Sequence, residues 1–360
     1  MFVAWRDLRF AKGRFALMGT VVVLITLLVG LLSGLTAGLA RENISAVTGL
    51  PASHIAFAAP EGDQKVSFSS SQVAEPAWLE WRKRPGVTSA QPVGIRTTNA
   101  VAGDRTASVS VFGVEADGGL APAGLTQGQV ILSERAAKEL GGLQAGGTLK
   151  IGTLELTVRA VSGTASHSHT PVVWADLNDW QRIGNPGTSP DTLATVVALD
   201  GDSGTDWAAG DRAAGTKTQS VDEALGAIGS YAAENGSLQL MRGFLFAISA
   251  LVIGAFFTVW TIQRSGDVAV LKALGASTPY LLKDALGQAV LMLAAGTGTG
   301  TLLAAGIGAL ISGGDVPFVL DAATVLVPAA VMILLGAAGA ALSIRRITAV
   351  DPLTALGSAR

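Results

Sequence analysis

A chain of 360 residues with 14% charged side chains and 45 glycines departs from a soluble domain, where roughly a quarter of residues are charged. With no cysteine a disulfide framework is excluded. Three histidines supply no visible set of nucleophile, base and orienting group, so the chain reads as non-catalytic. The net charge of −2 hides an uneven distribution. Residues 1–14, 264–284 and 345–360 hold ten Lys and Arg against four Asp, and the remainder holds 15 basic and 23 acidic residues.

In chain order, residues 1–14 interleave Phe2, Trp5, Leu8 and Phe10 with Arg6, Arg9, Lys12 and Arg14, the pattern of an interfacial helix that contacts membrane lipid. Residues 15–40 then run 26 positions without a charge, against the roughly 20 that span ~30 Å of hydrocarbon. The run exceeds the 7–15 residue core of a signal peptide, so an uncleaved anchor is expected. Three further uncharged stretches occupy 243–263, 285–314 and 322–344. The expected fold is an α-helical membrane domain of four transmembrane helices with an α+β extracytoplasmic domain, 41–242, inserted between helices 1 and 2. The positive-inside bias puts both termini, the loop 264–284 and the tail 345–360 in the cytoplasm of a cell membrane. Clustered cytoplasmic basic residues are this membrane signature and make no case for nucleic acid.

Within the insertion, alternating runs at 54–57, 66–68 and 108–112 broken by prolines predict strands and turns. Ser133 to Leu140 reads as a capped helix stopped by Gly141-Gly142, and strands are expected at 148–151 and 154–161. Residues 184–219, rich in Gly, Asp, Thr and Ser, read as loop. Val221, Leu225, Ile228 and Ala232 recur at helical spacing and predict a stalk helix interrupted at Asn235-Gly236. In His167-Ser168-His169, strand alternation would put both imidazoles on one face, either as a metal pair or as a solvated strand end; His54 is the only other histidine.

Gly30, Gly34 and Gly38 stand four apart on the first span, and Glu42 extends the stripe by a turn. Such glycines admit either a packing helix or a flat ligand. Glu42 beside Arg41 is either an ion pair at a helix end or an oxygen ligand with a cationic neighbour. Met241, Phe244 and Phe246 at the start of the second span and Tyr231 on the stalk would lie near one membrane depth, as slot residues or as ordinary packing and lipid contacts. In 264–284, Val268, Leu271 and Leu274 fall on one helical face with Asp267 and Lys272 off it, which suits a ridge docking in a groove or a helix lying on the membrane. No lysine follows a glycine, so a Walker A phosphate loop is absent.

Gln263 to Ser277, with Arg264, Asp267 and Leu271-Lys272-Ala273-Leu274-Gly275-Ala276, resembles the loop after the second span of FtsX/MacB-type ABC transporter permeases. Arg345-Arg346-Ile347 followed by Asp351-Pro352-Leu353, and Val130 through Leu140-Gly141 with Gly147-Thr148-Leu149, are similar to the same family, although Gly147-Thr148 replaces its usual Gly-Asp. Ser33 to Asn43 is similar to the HrtB-type haem-exporting branch. The resemblance implies a homodimer served by two copies of a cytosolic ABC ATPase that binds ATP-Mg, with Asp267, Val268, Leu271, Lys272, Leu274 and Gly275 at the coupling contact. It implies haem as transported ligand and no intrinsic cofactor. Glu42 would face haem iron, Met241 would follow it, and Arg41 would meet a propionate, with Gly34, Gly38, Tyr231, Phe244 and Phe246 around the slot. The other branches imply export of drugs, lipids or peptides, or activation of a cell-wall hydrolase without transport.

Overall fold

The computed structural model describes residues 12–122, 124–184, 193–263, 266, 270–272, 274–311 and 316–348. Most of the expected interfacial helix and most of the tail lie outside them. The chain divides into two compact units, one of residues 1–38 and 237–360, the other of residues 39–236.

The first unit contains helical segments of α1 (Lys12–Thr48), α7 (Gly229–Gln263), α8 (Thr278–Ile311) and α9 (Ala322–Thr348). All four helices are long and apolar enough to cross a membrane. α1 and α7 are longer than the uncharged stretches predicted. α1 runs eight residues beyond Ala40, and α7 joins the stalk to the second span in 35 residues, roughly 52 Å of helix. Asn235-Gly236 does not interrupt it. Each costs up to about 1 kcal/mol against alanine in a helix interior, which the flanking hydrogen-bonded turns absorb.

Small residues set the packing of α1 on α8. A Cβ on Gly30 would meet Ala304 at 2.8 Å, one on Gly296 would meet Val22 at 2.8 Å, and one on Gly300 would meet Thr26 at 2.8 Å. Both partners step by four residues, so the seam follows one face of each helix. Further along the same stripe, a Cβ on Gly34 would overlap the Phe318 ring, and one on Gly38 the Pro317 carbonyl. The Val319 N–H donates to the Gly34 carbonyl at 3.1 Å. Beside Phe318 remains a cavity of about 10 Å³, where a single water needs ~10–15 Å³. The glycine stripe, open in the sequence to a packing helix or a flat ligand, is thus used for packing within the chain. Ile253, Phe257, Met292, Leu293, Met332 and Ala340 fill the rest of the bundle core.

The second unit is α/β. Its elements are β1 (His54–Ala58), β2 (Val73–Ala74), α2 (Glu75–Arg82), β3 (Val87–Ala102), β4 (Arg105–Val114), β5 (Gln129–Leu132), α3 (Glu134–Glu139), β6 (Thr148–Ile151) and β7 (Leu154–Val161). There follow β8 (Ser166–His167), β9 (Thr170–Asp176), α4 (Leu177–Gly184), β10 (Leu193–Ala194), β11 (Val196–Gly201), α5 (Trp207–Ala214), β12 (Thr216–Ser220) and α6 (Val221–Ala224). The main sheet runs β12-β1-β11-β3-β4-β9-β5-β7-β6, and a β3–β6 pairing closes six of its strands into a ring. Inward residues alternate along each strand: Val109 and Val111, Val130 and Leu132, Leu149 and Ile151, Leu156 and Val158 fill the ring. The other face of β4, with Phe112 and Val114, shares a second core with Phe57, Trp174, the end of α1 (Ala46 and Val47) and Leu50 just beyond it.

The strands expected at 148–151 and 154–161 form as read, and Ser133 caps α3 by accepting from the Ala136 N–H. Residues 66–68 are not strand. The segment 184–219, expected as loop, supplies β11, α5 and β12. Val196 to Leu199 are buried between β1 and β3, and this central position outweighs the polar composition around them.

His167 closes the second core, edge-on to Phe68 at 5.7 Å and to Phe112 at 5.5 Å. Burial holds its pKa down to about 4.

Two expectations follow. Gly38→Val should lower the thermal midpoint of the purified full chain through about 1–3 kcal/mol of overpacking. Gly306→Val, where a Cβ meets nothing within 4 Å, should not. Because an unfolded histidine titrates near 6.5, neutral His167 contributes stability that is complete above that pH. The contribution declines as pH falls from 6.5 toward 4, by up to about 3 kcal/mol. Hydrogen exchange in 166–176, corrected for intrinsic rate, should rise between pH 7 and pH 5 in the wild type and rise less in His167→Phe.

Candidate functional site at the end of the first long helix

Glu42 and Asn43 lie two turns before the end of α1, in the second unit. Asn43, Ala46 and Val47 share the helix face that is buried in the domain core. That burial fixes the rotation of the helix and leaves Glu42 at the rim, its side chain 27% exposed. Arg41, the neighbour read as its cationic partner, is exposed and takes no part in the contacts around Glu42. The cation there is Arg135 of α3, whose Nη1 donates to Glu42 Oε1 at 2.8 Å and whose Nε donates to Glu139 at 2.8 Å.

The second neighbour is His169. β8 and β9 pair His167 with Thr170, so Ser168 and His169 form a two-residue turn. Both have left-handed backbones, with φ of 51° and 65°, as a type I′ hairpin requires. The turn sends the two histidines to different places, which corrects the expectation of a shared strand face. His167 enters the aromatic core. His169 stands between two carboxylates, with Nδ1 3.5 Å from Glu42 Oε2 and Nε2 2.9 Å from Glu234 on α7. Asn43 Nδ2 donates to Glu234 at 3.1 Å and lies 2.9 Å from His169 Nε2. Asn43 Oδ1 accepts from Ser230 Oγ at 2.6 Å.

The two Arg135 ion pairs are part-exposed and contribute about 0–1 kcal/mol each once solvent screening is counted. Their combined effect is geometric. Arg135 takes one carboxylate oxygen of Glu42, and the other has, among the described residues, an imidazole nitrogen at 3.5 Å, beyond a good hydrogen bond. That oxygen retains lone pairs for a cationic centre. No group of three or more His, Asp or Glu side chains with metal-holding geometry occurs among the described residues.

The other sequence candidates are dispersed. Tyr231 packs against the core of the second unit. In the first unit, Met241 and Phe244 are exposed, and Phe246 packs on the bundle core with the Arg242 guanidinium 5.8 Å from its ring. Arg135, Ser230 and Glu234 were missed in the sequence, and Asn43 and His169 were not read as neighbours of Glu42. Arg135, His169, Ser230 and Glu234 lie 93 to 191 positions from the α1 residues they touch, so no local spacing could place them there.

In the segment read as a coupling contact, Asp267 and Val268 lie outside the described residues. Leu271 is 37% and Leu274 79% exposed. The Ala276 N–H donates to the Leu271 carbonyl at 2.9 Å and the Gly275 N–H to the Lys272 carbonyl at 3.0 Å, with Gly275 at φ 94°. This is a Schellman stop, which requires a left-handed residue. It is the physical reason for glycine within Leu-Lys-Ala-Leu-Gly-Ala.

Residues 240–352 match the family model described as FtsX-like permease C-terminal. Over 99% of both chains, the sequence is 26% identical to a protein named as a hemin transport system permease, HrtB, of Staphylococcus haemolyticus. It is 25% identical, at the same coverage, to the corresponding protein of Staphylococcus epidermidis. It is 24% identical, again over 99% of both, to an uncharacterized ABC transporter permease of Mycobacterium tuberculosis. Among solved structures, the extracellular domain of the ABC-type transporter YknZ from Gram-positive bacteria aligns with 46% of this chain and 97% of that one, at 14% identity and a TM-score of 0.34. The periplasmic region of MacB from Actinobacillus actinomycetemcomitans aligns with 49% and 92%, at 10% identity and a TM-score of 0.35. Three of the four long apolar helices, α7, α8 and α9, thus lie largely within the stretch that matches the FtsX-like permease C-terminal model, in a chain similar along its whole length to hemin transport permeases of the HrtB kind.

Proposed function

We propose that this chain is the permease subunit of an ABC efflux pump that removes hemin from the outer leaflet of a cell membrane. Similarity to hemin transport permeases over 99% of both chains carries the reading. The second unit then lies outside the cell with both termini inside, as the distribution of basic residues favours. Two copies would combine with two copies of a cytosolic ATPase, which supplies the nucleotide site this chain lacks.

Hemin is cargo, a flat apolar ring with two carboxylates and a ferric centre that accepts oxygen donors. The Glu42 oxygen left free by Arg135 is the donor proposed for the iron. Met241 or Tyr231, from either copy, would supply a second, and exposed Arg41 would face a propionate. Gly34 and Gly38 are removed from direct contact, because Phe318 and Pro317 occupy their Cβ side; their proposed part is to seat that loop. ATP-driven closure would favour the form with lower hemin affinity, which expels the ligand.

A second reading, mechanical signalling to an external partner without cargo, draws on one observation. α1 and α7 are unbroken helices of 37 and 35 residues, stiff enough to transmit displacement.

Hemin added to the purified full chain should give a shifted Soret band that weakens at least about tenfold in Glu42→Ala. No shifted band in the wild type would overturn hemin binding. A deletion strain should be sensitive to hemin; altered cell shape or separation with normal hemin tolerance would favour the second reading. Leu271→Asp should abolish co-purification with the ATPase while the permease still inserts, and an unchanged yield of complex would remove this segment from the contact.

A further inference from the structure

The β8–β9 turn is built against its own preference. Two-residue turns of this type favour Asn-Gly, because both central residues need positive φ. Here they are Ser168 and His169, at 51° and 65°, and they are the only non-glycine residues with positive φ among the described residues. Backbone strain kept in this way is held by what the side chains do. All of their partners lie on α1 and α7. The Ser168 N–H donates to the Asn43 carbonyl at 3.0 Å and the His169 N–H to the Glu42 carbonyl at 3.2 Å, using second lone pairs of helix carbonyls. Ser168 Oγ meets Ser230 Oγ at 2.7 Å, and His169 Nε2 lies 2.9 Å from Glu234 with its Nδ1 3.5 Å from Glu42.

We propose that the Ser168-His169 tip is a clasp that, together with the direct bonds of Asn43 to Ser230 and Glu234, sets the separation of the C-terminal end of α1 from the N-terminal end of α7, with His169 as the positioning residue beside the Glu42 carboxylate. Its part in hemin capture rests on the function proposed above; the clasp itself does not. Two backbone bonds set the height of the tip on α1. The imidazole then fills the gap between the two carboxylates, and Arg135 holds Glu42 from the opposite side. Asparagine and glycine in the turn would satisfy the backbone better and lose every side-chain link to α7.

The chain has no cysteine, so two introduced thiols can be labelled uniquely. Thr48→Cys on α1 and Ala232→Cys on α7, both exposed, carry spin labels for pulsed distance measurement in the full chain. The unaltered clasp should give one narrow distance. Ser168→Asn with His169→Gly should at least double the width of the distribution, with a thermal midpoint unchanged or higher because the turn is relieved. Glu234→Gln, which leaves the turn intact, should broaden it less. In the same double variant hemin affinity, titrated at the Soret band, should fall about tenfold. An unchanged distance distribution overturns the clasp, and a widened one with unchanged hemin affinity overturns the positioning role of His169. If the wild type shows no hemin band, the proposed function fails while the distance measurement still decides the clasp.

Discussion

One face of the last two turns of α1 is buried in the core of the 39–236 unit, and the local geometry of the candidate site follows from that. Ala46, Val47 and Leu50 share a core with Phe57, Phe112 and Trp174, so the rotation of a stiff helix about its axis is fixed by apolar burial. Asn43, one turn earlier on the same face, is 1% exposed and must satisfy its amide within the protein. It does so with Ser230 and Glu234. Glu42, about 100° around the helix, comes to the rim where Arg135 and His169 reach it.

In the first unit the controlling distance is between helix backbones. Without a hydrophobic drive between helices in lipid, association depends on close packing. Small residues at Gly30, Gly296, Gly300 and Ala304 allow it, with Phe318 and Pro317 seated over Gly34 and Gly38. A stripe that could have formed a ligand groove is filled by the chain's own loop.

The two histidines of the β8–β9 hairpin show how one turn divides roles. His167 is held neutral in an aromatic core by burial, whereas two residues later His169 is half-exposed between carboxylates. A regular strand would have put both on one face. The left-handed turn separates them.

Hydropathy by itself determined the four long apolar helices and the inserted domain, because each apolar run is local and needs no partner to be recognised. The β6–β7 pair and the Ser133 cap were legible for the same reason: alternation and capping act within a few residues. Gly275 was legible as part of a motif, and the structure supplied the Schellman stop that explains it. Only the tertiary structure decided which residues surround Glu42, since Arg135, His169 and Glu234 come from α3, a hairpin tip and α7 across long stretches of chain. Folding brings them together through the burial of apolar surfaces elsewhere in the domain. No spacing within the sequence records that distance.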